Sequence, residues 1–353
     1  VTAPGALRAL RALLVDDSEV SRAELARILE EAGAEIVGQA SDGERALQLA
    51  LALRPDVILL DLQMPRMDGF TFLRLLMARR PTPVVVLSAQ ARKQDVFKSL
   101  ELGALDFVAK PEGQVLSAVR REIVATCSVV RSLRLANLAP RPALEVEPAG
   151  PRSATEPHRV VVLGASTGGP PALQALLAAL PPDLPAGILV AQHMPEKFTR
   201  AFADRLSRTT PFSVSEAEDG DLVTEGRVLV APGGRHLELR REGGRGGRLR
   251  ACLAPPEAGG YSLRFCPSVD RLFTSAALAM PRRLCAVVLT GMGNDGSAGI
   301  QAVKAAGGLT LAEAADTAVV YGMPNAARES GAVDEVLPLP AIADRIVRFA
   351  RDA

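Results

Sequence analysis

The residues able to do covalent chemistry fall into two sets, one in each half of the chain. In the C-terminal half, residues 160–169 read V-V-V-L-G-A-S-T-G-G. Gly164-Ala165-Ser166-Thr167-Gly168 satisfies G-x-S-x-G, the turn that exposes a nucleophilic serine in serine hydrolases. A glycine-rich loop opening a helix can equally cradle a phosphate. A serine hydrolase needs a base, usually histidine, and the chain has three. His158 precedes the first strand of this half and is expected in solvent. His236, in A-P-G-G-R-H-L-E-L, opens a hairpin arm and suits packing better than catalysis. His193, in I-L-V-A-Q-H-M-P, follows a strand directly, as Ser166 does, and is the candidate base. After a further strand, T-G-M-G-N-D-G-S-A-G offers Asp295 as the orienting carboxylate. That stretch also spells Gly291-x-Gly293-x-x-Gly296, a dinucleotide-binding pattern, with Glu313 ending the next strand as a ribose-binding acid. A carboxylate at Asp295 would face the pyrophosphate, so a triad role explains it better. The order Ser, His, Asp departs from the Ser, Asp, His order of the α/β-hydrolase elbow. Triads are defined by geometry, however, not by order.

In the N-terminal half the chemistry lies at strand ends. Asp16 and Asp17 follow the first strand, Asp61 the third, Ser88 the fourth and Lys110 the fifth. Ligands of open parallel sheets bind at that edge. Three converging carboxylates repel unless a cation joins them, and Mg²⁺ suits hard oxygen ligands. Lysine and a hydroxyl opposite would bind phosphoryl oxygens, leaving Asp61 as a phosphate acceptor. Any one of these acids is satisfied as a helix N-cap; five such positions on one edge are not.

Short apolar runs alternating with amphipathic helices predict parallel sheets. Strands are expected at 12–15, 36–40, 57–60, 84–87 and 107–109, then at 160–163, 188–191, 228–230, 286–289 and 309–312. A helix over 18–32 would bury Val20, Leu25, Ile28 and Leu29, and another is expected over 113–137. Residues 138–158 hold five prolines and few apolar runs, which marks a linker. Residues 235–250, with R-E-G-G-R-G-G-R between leucine-bearing arms, predict a β-hairpin with a mobile tip. The expected division is 1–127, a linker at 128–157, and 158–353.

Composition narrows the function. A net charge of +1 and 3% aromatic residues without Trp offer neither the field nor the stacking platform for nucleic acid. No apolar run reaches the roughly 18–20 residues needed to cross a bilayer, so no direct membrane insertion is expected. The N-terminal segment lacks a signal-peptide pattern, and four scattered cysteines without a CxxC pair suit a reducing cytoplasm.

Across residues 10–125, L-L-V-D-D-S, V-I-L-L-D-L-Q-M-P-R-M-D-G-F, V-V-V-L-S-A and A-L-D-F-V-A-K-P resemble the receiver domain of bacterial response regulators. The resemblance implies a flavodoxin-like fold, phosphorylation of Asp61, and Mg²⁺ held by Asp16, Asp17, Asp61 and the Gln63 carbonyl. It further implies phosphoryl binding by Ser88 and Lys110, a switching aromatic at Phe107, a cis Lys110–Pro111 peptide, and a sensor histidine kinase as phosphodonor. The stretch least like that family is A-R-K-Q-D-V-F-K, after Ser88. Across 158–350, G-A-S-T-G-G, Q-H-M-P-E-K-F-T, V-A-P-G-G-R-H, C-P-S-V-D-R-L-F and T-G-M-G-N-D-G resemble the catalytic domain of the chemotaxis protein-glutamate methylesterases. This resemblance implies a doubly wound, Rossmann-like α/β catalytic domain with a β-hairpin. It implies Ser166 as nucleophile, His193 as base and acid, Asp295 orienting His193, the Met292 backbone N–H in the oxyanion hole, and Thr167 in the site. The expected substrates are γ-glutamyl methyl esters, and glutamines for deamidation, on the cytoplasmic helices of chemoreceptors. No cofactor is expected in this half, and Asp61 phosphorylation is expected to relieve inhibition by the receiver.

Overall fold

The computed structural model describes residues 6–89, 93–110, 116–138, 155–243, 247–256 and 265–352. The chain divides into two compact units, 1–142 and 143–353.

In the first unit five strands alternate with five helices: β1 (Arg11–Val15), α1 (Glu19–Glu31), β2 (Glu35–Ala40), α2 (Gly43–Leu53), β3 (Val57–Asp61), α3 (Gly69–Arg79), β4 (Val84–Ala89), α4 (Lys93–Glu101), β5 (Asp106–Lys110) and α5 (Arg120–Ser128). The strands form one parallel sheet in the order β2-β1-β3-β4-β5. Val57, Ile58, Leu59 and Leu60 are all fully buried, as a central parallel strand covered on both faces requires. Ser18 caps α1 by accepting the Ser21 N–H, and Leu25, Ile28 and Leu29 face the core. Val20 does not join them; it is 77% exposed. At about 100° per residue, Val20 lies roughly half a turn from Leu29. The helix expected over 113–137 is shorter. Among the described residues of that span, 116–137, the α-helical part is α5 alone, with 3₁₀ turns at Leu116–Val119, Val129–Ser132 and Leu135–Asn137 around it. Pro111 lies outside the described residues, and with it the expected cis peptide.

The second unit continues with β6 (Arg159–Ala165), α6 (Gly169–Ala179), β7 (Ala186–Gln192), α7 (Thr199–Thr209), β8 (Ser213–Glu216), β9 (Arg227–Val230), β10 (His236–Arg241), β11 (Leu249–Ala254), α8 (Val269–Ala279), β12 (Leu284–Val288), α9 (Ser297–Ala305), β13 (Leu309–Glu313), α10 (Met323–Glu329), β14 (Glu335–Leu337) and α11 (Leu339–Arg351). Seven strands form a parallel sheet, β14-β13-β12-β6-β7-β9-β8. Helices α6, α7 and α11 pack among themselves, and α8, α9 and α10 do likewise, as expected of a doubly wound sheet. Alternation along β6 sends Val160 and Val162 into one core with Leu237, Leu239, Leu272, Phe273 and Ile300. The short outer strands β8 and β14 escape the hydrophobic pattern because S-V-S-E and E-V-L each carry little apolar run. The antiparallel hairpin β10–β11 runs from His236↔Ala254 to Arg241↔Leu249, four residues beyond the expected end at 250. Of its tip, 244–246 lie outside the described residues.

The chain leaves β6 toward β7 on one side and later returns to β12 on the other. The carboxyl ends of β6 and β12 therefore border a topological switch point, where open α/β sheets place their ligands. In the first unit, the ends of β1 and β3 border the equivalent point.

Candidate functional site

Ser166 follows β6 and His193 follows the neighbouring β7. The strand register pairs Ala165 with Gln192, so the next residue on each strand is a catalytic candidate. Parallel neighbours lie about 4.8 Å apart. Backbone bonds hold the two together: His193 N–H donates to the Ala165 carbonyl at 3.0 Å, and Ser166 N–H to the Thr290 carbonyl at 3.0 Å. Gln192, 2% exposed, adds a cross-link. Its Nε2 donates to both the Ser166 and the His193 carbonyls, each at 2.9 Å. Gly168, at φ 75°, turns the chain into α6, and the Gly169 N–H closes the turn on the Ser166 carbonyl at 2.7 Å. The helix N-terminus thus sits just beyond the serine, where its dipole favours developing negative charge.

The third member arrives from farther away than a strand end. Asp295 lies seven residues beyond β12 and two before α9, next to its capping residue Gly296. Its Oδ2 is 2.7 Å from His193 Nε2, with the two side chains 5% and 11% exposed. The same carboxylate occupies the N-terminus of α8. Oδ2 accepts Val269 N–H at 2.8 Å, and Oδ1 accepts Asp270 N–H at 2.9 Å and Ser268 Oγ–H at 3.0 Å. Burial works to raise the Asp295 pKa, but the bond to His193 and these donors outweigh it and leave it below the usual carboxylate range. An anion at Oδ2 requires the proton on His193 Nε2. The lone pair is then on Nδ1, which is buried without a hydrogen-bond partner. Phe265 stacks on the imidazole, centroids 4.4 Å apart and 3° from parallel, fixing the ring plane.

The loop after β12 closes the other side. A Cβ on Gly291 would lie 2.7 Å from Ser166 Cβ and 2.4 Å from Met323 Sδ, so only glycine permits this approach. The Gly291 carbonyl accepts from Gly322 N–H at 3.1 Å and Met323 N–H at 2.7 Å. In a trans peptide the Met292 N–H then points the opposite way. Thr167 is buried, and its carbonyl accepts Thr290 Oγ1–H at 3.0 Å. Glu313, the acid a nucleotide ribose would need, is fully buried, and its Oε2 accepts the Thr290 N–H at 2.8 Å. That carboxylate faces inward and supports the loop, so the glycine pattern serves the loop rather than a dinucleotide. His158 is exposed, as expected. His236 is buried, its Nδ1 accepting Ser268 N–H at 3.2 Å and its Nε2 facing the Pro256 carbonyl at 3.3 Å. Burial holds its pKa down, so it serves as neutral packing beneath Ser268.

In the first unit, Asp16, Asp17 and Asp61 each place a carboxylate oxygen within 4.8 Å of the others. Lys110 Nζ bridges Asp16 Oδ2 at 2.8 Å and Asp61 Oδ2 at 2.5 Å. Burial pushes the Asp16 carboxyl up, with Asp61 adding to it against Lys110. Burial pulls Lys110 down, but the two carboxylates more than offset it and hold the ammonium above its usual range. One lysine against three acids leaves a deficit of positive charge, and a hard dication fits that donor set. Ser88 is buried near the carboxyl end of β4, Phe107 is buried within β5 opposite Val86, and Gln63 N–H donates to Asp61 Oδ1 at 2.9 Å.

Comparison with known proteins gives the family of both halves. The family model for the CheB methylesterase matches residues 161–346, and that for the response regulator receiver domain matches 12–120. This chain belongs to the CheB methylesterase family. A protein-glutamate methylesterase/protein-glutamine glutaminase of Anaeromyxobacter dehalogenans is 62% identical, with 99% of this chain and 98% of the relative covered. One from Myxococcus xanthus is 46% identical over 96% of each chain. The Thermotoga maritima CheB methylesterase catalytic domain, a crystal structure, matches with a TM-score of 0.51 and 40% identity, covering 54% of this chain and 98% of that one. Among the described residues no helix is long and apolar enough to cross a membrane.

Three supporting residues of this CheB-family site escape sequence reasoning: Gln192, Ser268 and Phe265. Ser268, in C-P-S-V-D, shows the signature of a helix N-cap, and it caps α8 by accepting Arg271 N–H. Nothing in sequence spacing tells that Asp295 joins that cap.

Proposed function

We propose that the chain is a phosphorylation-activated protein-glutamate methylesterase and protein-glutamine glutaminase acting through Ser166, His193 and Asp295. The observation that carries this reading is the 2.7 Å contact of His193 Nε2 with Asp295, which leaves Nδ1 as the buried, unpartnered base beside Ser166. No hydrogen bond yet joins Ser166 to Nδ1, and such contacts commonly tighten only with substrate bound.

Ser166 Oγ attacks the γ-carbonyl carbon of a glutamyl methyl ester while its proton passes to His193 Nδ1. The imidazolium so formed is stabilised by Asp295 through Nε2–H. The oxyanion lies against the Met292 N–H, a donor of a kind worth about 3–4 kcal/mol. Collapse expels methoxide, which takes the Nδ1 proton and leaves as methanol. Water, deprotonated by Nδ1, attacks the acyl carbon, and the same proton then passes from Nδ1 to the departing Ser166 Oγ, freeing glutamate and restoring the serine hydroxyl. With glutamine as substrate the same sequence releases ammonia. The ring works with Nδ1 toward serine and Nε2 toward the acid, the reverse of the chymotrypsin arrangement.

The receiver supplies the input, with the chain divided as receiver 1–127, linker 128–157 and catalytic domain 158–353. A sensor histidine kinase donates a phosphoryl group to Asp61. Asp16, Asp17, Asp61 and the Gln63 carbonyl would hold Mg²⁺, which neutralises phosphoryl charge. Ser88 and Lys110 bind phosphoryl oxygens, and Phe107 responds to the modification. The substrates are glutamyl esters on the cytoplasmic helices of chemoreceptors, which puts the enzyme in the cytoplasm. Methanol release from methylated receptor, with and without acetyl phosphate, tests the reading. Release that rises with acetyl phosphate supports it; release indifferent to acetyl phosphate removes the receiver's regulatory role.

A further inference from the structure

Two acids, rather than one, stand where α8 meets α9. Asp295 precedes α9, yet it accepts the first N–H groups of α8, those of Val269 and Asp270. Asp270 belongs to the first turn of α8, yet its Oδ1 accepts the Gly296 N–H at 2.9 Å and the Gly299 N–H at 2.6 Å at the start of α9. Each carboxylate therefore caps the helix that carries the other. The arrangement needs close helices. A Cβ on Gly299 would lie 2.6 Å from Phe273 Cβ and 3.1 Å from Asp270 Cα. Gly296, at φ 99°, provides the turn that presents its N–H to Asp270.

Gly296 is the residue after Asp295, and the peptide joining them is the one whose N–H Asp270 holds. Rotation of that peptide would swing the Asp295 side chain away from His193. The Ser268 hydroxyl and the Val269 and Asp270 amides fix the Asp295 carboxylate head. Asp270 fixes the backbone that carries it. Burial, with Asp295 adding, pushes the Asp270 carboxyl up to about 6 against the two glycine amides. Its Oδ1 accepts those amides whether or not the group is ionised.

We propose that Asp270 is a positioning residue of the esterase, holding Asp295 on His193 Nε2 by anchoring the 295–296 peptide. This rests on the Ser166–His193–Asp295 reading above. The Asp270 side chain holds the Gly296 and Gly299 amides, so its catalytic effect is assigned wholly through Asp295.

That dependence is testable by a double-mutant cycle in the full-length chain, using methanol release from methylated receptor. Asp270→Ala lowers kcat about 10–100-fold with KM unchanged, as expected for a misplaced catalytic group. In an Asp295→Asn background the same change costs less than about twofold, because the contact it protects is already lost. Asp270→Asn keeps an acceptor at Oδ1 and stays within about threefold of wild type. The ¹⁵N resonances of the His193 imidazole move in Asp270→Ala in the same direction as in Asp295→Asn, a change a merely structural role would not produce. Equal losses from Asp270→Ala in both backgrounds would overturn the inference in favour of a merely structural role. A large loss in Asp270→Asn would overturn it in favour of a role for the charge itself, and this variant serves if Asp270→Ala does not fold. If Asp295→Asn alone leaves kcat unchanged, the triad reading fails first. That outcome differs from a normal Asp295 effect accompanied by an inert Asp270.

Discussion

Gln192→Met removes one side chain that Ser166 and His193 share. Methionine nearly conserves the volume, so little cavity is created. The two bonds from Nε2, each 2.9 Å long, are lost. At a net value of about 1 kcal/mol each, that is ~2 kcal/mol. The Ser166 carbonyl keeps its Gly169 N–H partner, so the heavier consequence falls on the His193 carbonyl, and a buried unpaired carbonyl costs about 1 kcal/mol more. A total of ~3 kcal/mol corresponds to a melting transition lower by about 6–12 °C for a unit of this size. Catalysis suffers separately. With its carbonyl untied, the turn carrying His193 can drift from Ser166, and a displacement on the order of 1 Å costs about 100-fold. Calorimetry of the full chain and methanol release kinetics read the two effects. A lowered transition with unchanged kcat would show that the cross-link stabilises the fold without aligning the pair. No change in either would refute the hydrogen-bond reasoning itself.

Asp61→Asn abolishes hydroxylamine-labile phosphoryl incorporation from acetyl phosphate and reduces the stimulation of methanol release to one-fold, measured by phosphate labelling and esterase assay. Cys127 and Cys285 are fully buried; burial pushes Cys127 up to about 12 and Cys285 higher still. A chromogenic disulfide at neutral pH therefore titrates no more than two of the four thiols until denaturant is added. Glu122 is raised from 4.5 to about 7, first by burial and then by Asp106. A carboxyl raised on folding gives stability that is complete below pH 4.5 and lost as pH rises through about 7. Glu122→Gln is then expected to raise the receiver's melting temperature by about 5 °C at pH 8 and to leave it unchanged at pH 4.5, as read by calorimetry.

Much of the site was legible because its chemistry sits where periodic signals end. Ser166 and His193 follow uninterrupted apolar runs, and parallel strands with adjacent registers bring such ends together. The same reasoning located Asp16, Asp61, Ser88 and Lys110. Asp295 was legible by residue type, but its position was not. It reaches His193 from a loop held by another helix's N-terminus, and that contact spans 102 residues of sequence. Gln192 and Asp270 were silent for a related reason. Glutamine at a strand end and aspartate in a helix's first turn are ordinary local choices. Their partners are fixed only by tertiary packing. Val20 shows the limit of apolar pattern reading, since a β-branched residue near a helix start can face solvent at little cost. The glycine pattern at 291–296 shows the opposite limit, a correct motif whose ribose-binding acid turned out to be buried.

The central claim is that Ser166 is the nucleophile for ester hydrolysis. The most direct measurement compares methanol release from methylated receptor by wild-type and Ser166→Ala chains, both with acetyl phosphate. Wild type is predicted to release methanol, and Ser166→Ala none above background while Asp61 still accepts phosphoryl. Methanol release by Ser166→Ala at a rate near that of wild type would contradict the account.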